Sequence, residues 1–333
     1  MTAHRDFKNI VRERQQKTGE SYLTARRHVT RARAQLLGEP VDATSVANAT
    51  FDAIVLKVND RSARVRILGE AGELTFKSGD ACELVPGHVA TLRITKRWTW
   101  RGDAYASGEV ERAVLDVARL GLEPLPLRDG ELFDAREVYE PFPAPDPYAP
   151  LWRKLTARPK PAFEFDALAW GPRSEDLDEH PVSDAADLVA AGDEEGATLF
   201  LMDVLHHDLR CIDAHRHLGN IEFERNPKGA LLHYEVGIAI GELSLPRGFD
   251  GFLPWACLYN RPFLRCLHGA ALCYWRLGRA FEAQMMFERI LALNPNDNQG
   301  VRFCWNDLRE GRTWEEGNER DDADAAKRRE MLH

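Results

Sequence analysis

Six side chains of metal-ligand or acid–base type crowd one short stretch: His206, His207, Cys211, Asp213, His215 and His217. Cys211 and His215, four residues apart, would share one face of a helix. A zinc site needs three or four such groups converging on one point, and the apolar spacing around these residues predicts packing roles instead. Cys257, Cys266, His268 and Cys273 make a second set, in which Cys266 and Cys273 fall on the apolar side of a helical pattern and read as core. No metal and no other cofactor is expected. The chain carries no phosphate-binding glycine loop of the GxxxxGK type, no GxSxG nucleophile turn and no HExxH zinc pair. The expectation is a protein that is not an enzyme.

A third constellation, Lys96-Arg97-Trp98-Thr99-Trp100-Arg101 followed by Tyr105, interleaves cations with aromatic rings. Binders of single-stranded nucleic acid use that combination, cations for the phosphates and rings for base stacking. The competing reading starts from strand geometry, in which successive side chains face opposite ways. It makes Trp98 and Trp100 barrel core and leaves Arg97, Thr99 and Arg101 solvated, and it is the favoured one because aromatic residues suit half-buried strands. A second basic element precedes it. Residues 1–37 hold nine Lys/Arg against three Asp/Glu, with Arg26, Arg27, Arg31 and Arg33 on one predicted helix, whereas residues 174–195 hold nine Asp/Glu and no Lys or Arg. Such blocks mark either contact with an opposite charge or two solvated faces.

The elements that must position these groups give an α+β multidomain chain. With 333 residues and 44 % apolar content it is long enough for more than one core. Two apolar stripes separated by Thr18-Gly19-Glu20 predict a basic helical hairpin over residues 1–40. Over residues 48–121 the period changes to short β-rich runs broken by Asn59-Asp60, Gly69 to Gly72, Pro86-Gly87 and Arg101-Gly102-Asp103, which fit a small β-barrel, SH3-like or OB-like. A short helix over Ala113–Leu120 is expected to close it. Residues 122–181 read as a Pro-rich and acidic linker, since ten of the eighteen prolines lie between Gly121 and Pro172. The linker's many aromatics predict that it lies against folded parts. Residues 182–311 read as a helical array and 312–333 as a charged tail. No apolar run is long enough for a membrane span and no secretory leader is evident, so a cytoplasmic protein with free thiols is expected.

The helical half shows internal periodicity. From Arg265 to Pro295, Leu267, Ala270, Ala271, Tyr274, Gly278, Ala283, Phe287 and Pro295 stand at the offsets of a 34-residue helical-hairpin pattern, with small residues where two helices cross and a proline that stops the second helix. Ile212 to Leu245 forms an earlier unit with Gly219 on the small position. Ala185, Gly192, Ala197 and Leu201 form one before that, and an 18-residue insertion, Pro246 to Phe263, separates the last two. Gly248 to Gly251 is expected at the insertion's exposed tip, with Phe249 as an apolar anchor. Asp297 is placed to cap a closing helix.

This half resembles the tetratricopeptide repeat superfamily, in a bacterial variant marked by Asn260-Arg-Pro-Phe-Leu-Arg and Asn294-Pro-Asn-Asp-Asn-Gln-Gly. The resemblance implies a helical solenoid whose first helices line a concave, partner-binding face. The groove positions would then be Asp213, Arg216, Asn220 and Phe223, followed by Arg265, His268, Leu272 and Trp275. Arg216, Asn220 and Arg265 match positions where members of the family hold a peptide's terminal carboxylate, while Gly269 stands where the last cation of that clamp would be. A scaffold that binds a protein or peptide partner is the expected function. The alternative is contact with single-stranded nucleic acid or a ribonucleoprotein through the basic hairpin and the barrel.

Overall fold

The computed structural model describes residues 12–14, 17–18, 41–138, 146–166 and 182–320. In chain order its strands and helices are β1 (Val41–Asn59), β2 (Ser62–Ile67), β3 (Leu74–Lys77), β4 (Val89–Trp100), β5 (Asp103–Val114), β6 (Leu127–Phe133), α1 (Ala135–Val138), α2 (Ala149–Leu155), β7 (Lys160–Phe165), α3 (Ser183–Ala190), α4 (Glu194–His207), α5 (Ile212–Glu222), α6 (Pro227–Ser244), α7 (Arg261–Arg276), α8 (Ala280–Leu293) and α9 (Val301–Arg309). The chain is α+β, with a closed five-stranded barrel and a C-terminal helical region. Residues 12–14 and 17–18 are helical; the rest of the expected basic hairpin, including Arg26, Arg27, Arg31 and Arg33, lies outside the described residues. Among the described residues no helix is long and apolar enough to cross a membrane.

Two compact units divide the chain. The first joins Met1–Val114 to His180–His206. Its barrel closes in the order β1-β2-β3-β5-β4, with β3 and β5 parallel and every other pair antiparallel. The long β1 pairs with both β2 and β4, so the barrel is left without a free edge. Val55, Val65, Phe76, Leu92 and Ile94 point inward and are wholly buried, as strand alternation requires.

One irregularity decides what the rest of β4 presents. Ile94 pairs with Gly108 but Lys96 pairs with Ser107, so Thr95 is an extra residue without a counterpart. A one-residue bulge moves every later side chain to the other face. Gly108 makes this possible, because a Cβ there would meet the Arg93 carbonyl oxygen at 1.9 Å. The hairpin from β4 to β5 then turns on Arg101-Gly102, both at positive φ (54° and 85°), between the paired Trp100 and Asp103. Two left-handed residues in a two-residue loop match the twist of the flanking strands. The helix expected over Ala113–Leu120 is instead the end of β5 and a 3-10 turn, Val117–Leu120.

Helices α3 and α4, which the repeat frame counts as its earliest unit, cluster with the barrel. Asp203 of α4 pairs with Lys57, and His206 Nε2 lies 2.9 Å from Glu73 Oε2. These polar ties are invisible to a pattern of apolar offsets.

The second unit joins Leu115–Glu179 to His207–His333. Helices α5 and α6 form one hairpin and α7 and α8 another; α7 packs on both α5 and α6, and α9 packs on α8. Ala270, Ala271 and Ala283 are fully buried. Asn226 caps α6 by accepting from Gly229 N (3.0 Å), with Pro227 at the first position where its missing N–H costs nothing. Asp297 accepts from Val301 N (2.7 Å) and Arg302 N (3.1 Å) at the start of α9.

The Pro-rich segment carries more structure than a linker. β6 and β7 form an antiparallel hairpin, and the insertion is stitched to it through Phe163 N to Phe252 O (2.8 Å) and Phe252 N to Pro161 O (2.9 Å). Prolines are compatible here because the donors come from the residues between them. The buried Asn260 side chain accepts from Phe165 N (3.1 Å) and donates to Phe163 O (2.8 Å). Phe249 is therefore no free anchor: its ring is half-buried, 5.0 Å from that of Phe163.

Candidate functional site

Six of the side chains expected in the groove, Arg216, Asn220, Phe223, Arg265, His268 and Leu272, line one cleft of about 460 Å³ in the second unit, joined by Tyr234, Gly269 and Gln299. Arg216, Asn220 and Arg265, His268, Leu272 come from α5 and α7, whose 3.6-residue period brings positions three and four apart onto one face. Phe223 follows directly after α5.

Arg216 is held from two sides. Its Nε donates to Asp213 Oδ1 at 2.6 Å, and Nη1 reaches the Asn220 amide oxygen at 3.2 Å in the amide orientation that satisfies both ends of that group. The Asn220 amide is also 2.6 Å from the Tyr234 hydroxyl. Asp213 thus serves as the anchor of Arg216, and His217 stands beside the same pair. Arg265 differs. It is exposed, its guanidinium lies 5.1 Å over the Trp255 ring, and among the described residues it has no hydrogen bond or ion pair. Burial of part of its side chain, and then the neighbouring Arg216, push its pKa down. Two cations that repel one another at the mouth of a cleft are relieved by an anion placed between them.

The rest of the cleft wall sets Phe223, Leu272 and the Tyr234 ring beside neutral polar groups. Burial drops the His268 pKa to about 4, so the ring is neutral near pH 7; Gln299 Nε2 lies 3.3 Å from its Nδ1. Gln299 Oε1 is buried without a hydrogen-bond partner. Burial pushes the Tyr234 hydroxyl well above its ordinary range, so it remains protonated and able to donate.

Trp275, expected in the groove, is covered. Its Nε1 donates to Arg312 O (3.1 Å), and its ring meets Trp314 edge-on at 5.5 Å. Trp314 also stands 6.0 Å from Phe223. The short helix at 314–320 starts with a capping box, Thr313 N to Glu316 Oε2 (2.8 Å) and Glu316 N to Thr313 Oγ1 (3.3 Å). Trp314, within the stretch that read as a charged tail, therefore closes the aromatic end of the groove. Trp314 offered the one usable hint, an apolar ring in a charged stretch. Tyr234 offered none, because it belongs to the second helix of its hairpin.

The candidate metal ligands diverge. His206 bonds Glu73 in the first unit, while in the second the buried His215 lies 3.1 Å from Leu209 O and 6.3 Å from the His233 ring. Burial raises the thiols of Cys211 and Cys273 to about 12, which suits packed, unreactive groups. Among the described residues no three His, Cys, Asp or Glu side chains are placed to hold a metal ion.

In the barrel, Trp98 and Trp100 are half-buried on the outer face and are not core, because the bulge at Thr95 has reversed the alternation that predicts burial. Trp98 stacks on Tyr105 with centroids 5.5 Å apart and planes 12° apart, and Lys96 and Arg101 lie over Trp98 and Trp100 at 5.7 and 5.4 Å. Arg97 is engaged by Glu70 through two bonds of 2.9 and 3.0 Å.

No protein-family model matches this chain, and no curated protein is detectably similar to it.

Proposed function

We propose that the second unit is a tetratricopeptide-type peptide-binding module of a cytoplasmic scaffold, and that its ligand is a protein segment presenting a carboxylate to Arg265 and Arg216. The observation that carries this reading is Arg265: an exposed guanidinium with no ion pair among the described residues, held over Trp255 at the mouth of a cleft whose other cation is already oriented by Asp213 and Asn220. A guanidinium presents a planar fork of donors suited to a carboxylate, and a preoriented fork loses less entropy when it binds. Phe223, Leu272 and the Tyr234 ring supply the apolar contact that a neighbouring side chain of the ligand needs.

Short acidic peptides with free and with amidated carboxy-termini, titrated against the full chain, test the proposal. Binding should weaken by at least about 1.5 kcal/mol, roughly tenfold, in Arg265→Ala or Arg216→Ala. A preference for the free terminus would assign a terminal carboxylate, and indifference to amidation an internal Asp or Glu. Wild-type affinity in both variants, with the fold intact by circular dichroism, removes the site from this cleft.

A further inference from the structure

A second surface, in the other compact unit, has the chemistry of a ligand site that the peptide reading does not use. On the outer face of the barrel, Trp98 of β4 and Tyr105 of β5 are register partners whose rings lie nearly parallel, 12° apart, and both are half-buried. Lys77, on the neighbouring β3, places its Nζ 5.5 Å from the Tyr105 centroid and 5.7 Å from that of Trp98; Lys96 stands 5.7 Å from Trp98. Trp100 meets Tyr105 edge-on at 6.1 Å, and Arg101 lies over Trp100. Both lysines are exposed, and among the described residues neither has an ion pair.

The charge of this surface is set by what is already neutralised. A cleft of about 670 Å³ runs past Trp98 and Tyr105 and contains two carboxylates, Glu70 and Glu73. Glu70 is taken up by the two bonds from Arg97, and Glu73 by Arg64, Arg66 and His206. The Arg64 and His206 contacts hold the Glu73 pKa down against its own burial. Lys77 and Lys96 then lie over the rings with no ion pair among the described residues, while Asp103 acts on Tyr105 from the hairpin end.

We infer that this face binds single-stranded nucleic acid, with bases stacking on the Trp98–Tyr105 platform and phosphates paired to Lys77 and Lys96. A duplex hides its base faces and offers only phosphates, so it gains nothing from the rings. A single strand presents both, and each stacked base contributes a sequence-tolerant increment. A peptide of acidic residues would use the lysines but leave the paired rings without a partner. The inference is independent of the helical cleft.

The test is fluorescence anisotropy of the full chain with labelled oligothymidylate and oligouridylate, a duplex of the same length, and polyglutamate as competitor. Single strands should bind at low salt, with affinity falling steeply as salt rises because contacts to phosphate release counterions. Trp98→Ala, Tyr105→Ala and the pair Lys77→Ala with Lys96→Ala should each weaken binding about tenfold or more. Trp98→Phe should restore most of it, and Arg265→Ala should leave it unchanged. Tighter binding of the uridylate or of the thymidylate tells RNA from DNA. No binding at low salt, equal binding of duplex, or full competition by polyglutamate overturns the inference. So does binding that survives loss of both rings in a variant whose thermal melt is unchanged, because the basic residues alone would then account for it.

Discussion

The Tyr234 ring occupies the space beside Gly269: a Cβ on that glycine would sit 2.4 Å from the tyrosine Cζ. The same ring blocks a Cβ on Gly219 at 2.5 Å, so one side chain of α6 lies against glycines of both α5 and α7 and brings its hydroxyl to Asn220. No larger residue fits at Gly269 while Tyr234 stands there. The clamp cation that the family resemblance expects at this position is excluded by packing.

Gly269→Ala should therefore destabilise the helical unit. Alanine favours a helix over glycine by about 1 kcal/mol, but overpacking a filled site costs about 1–3 kcal/mol. The expected outcome is a lowered melting temperature in Gly269→Ala and a smaller loss when Tyr234→Ala is added. A double-mutant cycle in denaturant measures the coupling. Additive losses would mean that the ring does not fill this space.

Asp297 should be among the costliest single positions. Its buried carboxylate accepts from two backbone N–H groups of α9 and pairs with the buried Arg302 at 2.9 Å. Asp297→Ala removes the cap and the closer of the two carboxylates on Arg302, Asp146 standing at 3.8 Å, an expected loss of about 2–4 kcal/mol by chemical denaturation. Asp297→Asn keeps an acceptor and tolerates the positive φ of 49°, and should lose less.

Stability should fall in mild acid through His88. The ring is buried, its Nε2 has no partner, and burial lowers its pKa to about 4 against 6.5 for the free side chain. Below about 6.5 the unfolded chain binds a proton that the folded barrel refuses. This contribution is complete above about pH 6.5 and is lost as pH falls toward about 4, at most about 3 kcal/mol. His268 has the same sign in the other unit. Denaturation midpoints across that window should show a shallower pH slope in His88→Phe than in the wild type.

Trp314→Ala should uncover the closed end of the groove. Trp275 and Phe223 would lose their edge-on partner, with an expected cost of about 2 kcal/mol for a half-buried aromatic ring. Differential scanning calorimetry reads the loss. Quenching by acrylamide should rise in the variant as the Trp275 indole becomes accessible, and unchanged quenching would place the indole out of solvent for another reason.

Local pattern determined a good deal of this protein. Period-2 runs and their turn residues marked five strands, and Asp297 marked a cap, because each depends on neighbours a few residues away. Helical spacing put Arg216 with Asn220 on one face of α5, and Arg265, His268 and Leu272 on one face of α7; that the two faces share a cleft was expected only from the family resemblance. What only the tertiary structure decided involves partners distant in the chain. The bulge at Thr95 turned Trp98 and Trp100 outward through pairing with Gly108 and Ser107, which alternation along one strand does not encode. The Pro-rich segment gained strands because Leu127–Phe133 pairs with Lys160–Phe165, to which the insertion at Phe252 bonds in turn. Trp275 was closed by Trp314, and Gly269 was filled by Tyr234. A sequence records which surfaces want burial, but the hydrophobic effect has no direction, so which distant ring covers which surface is settled only when the chain has folded.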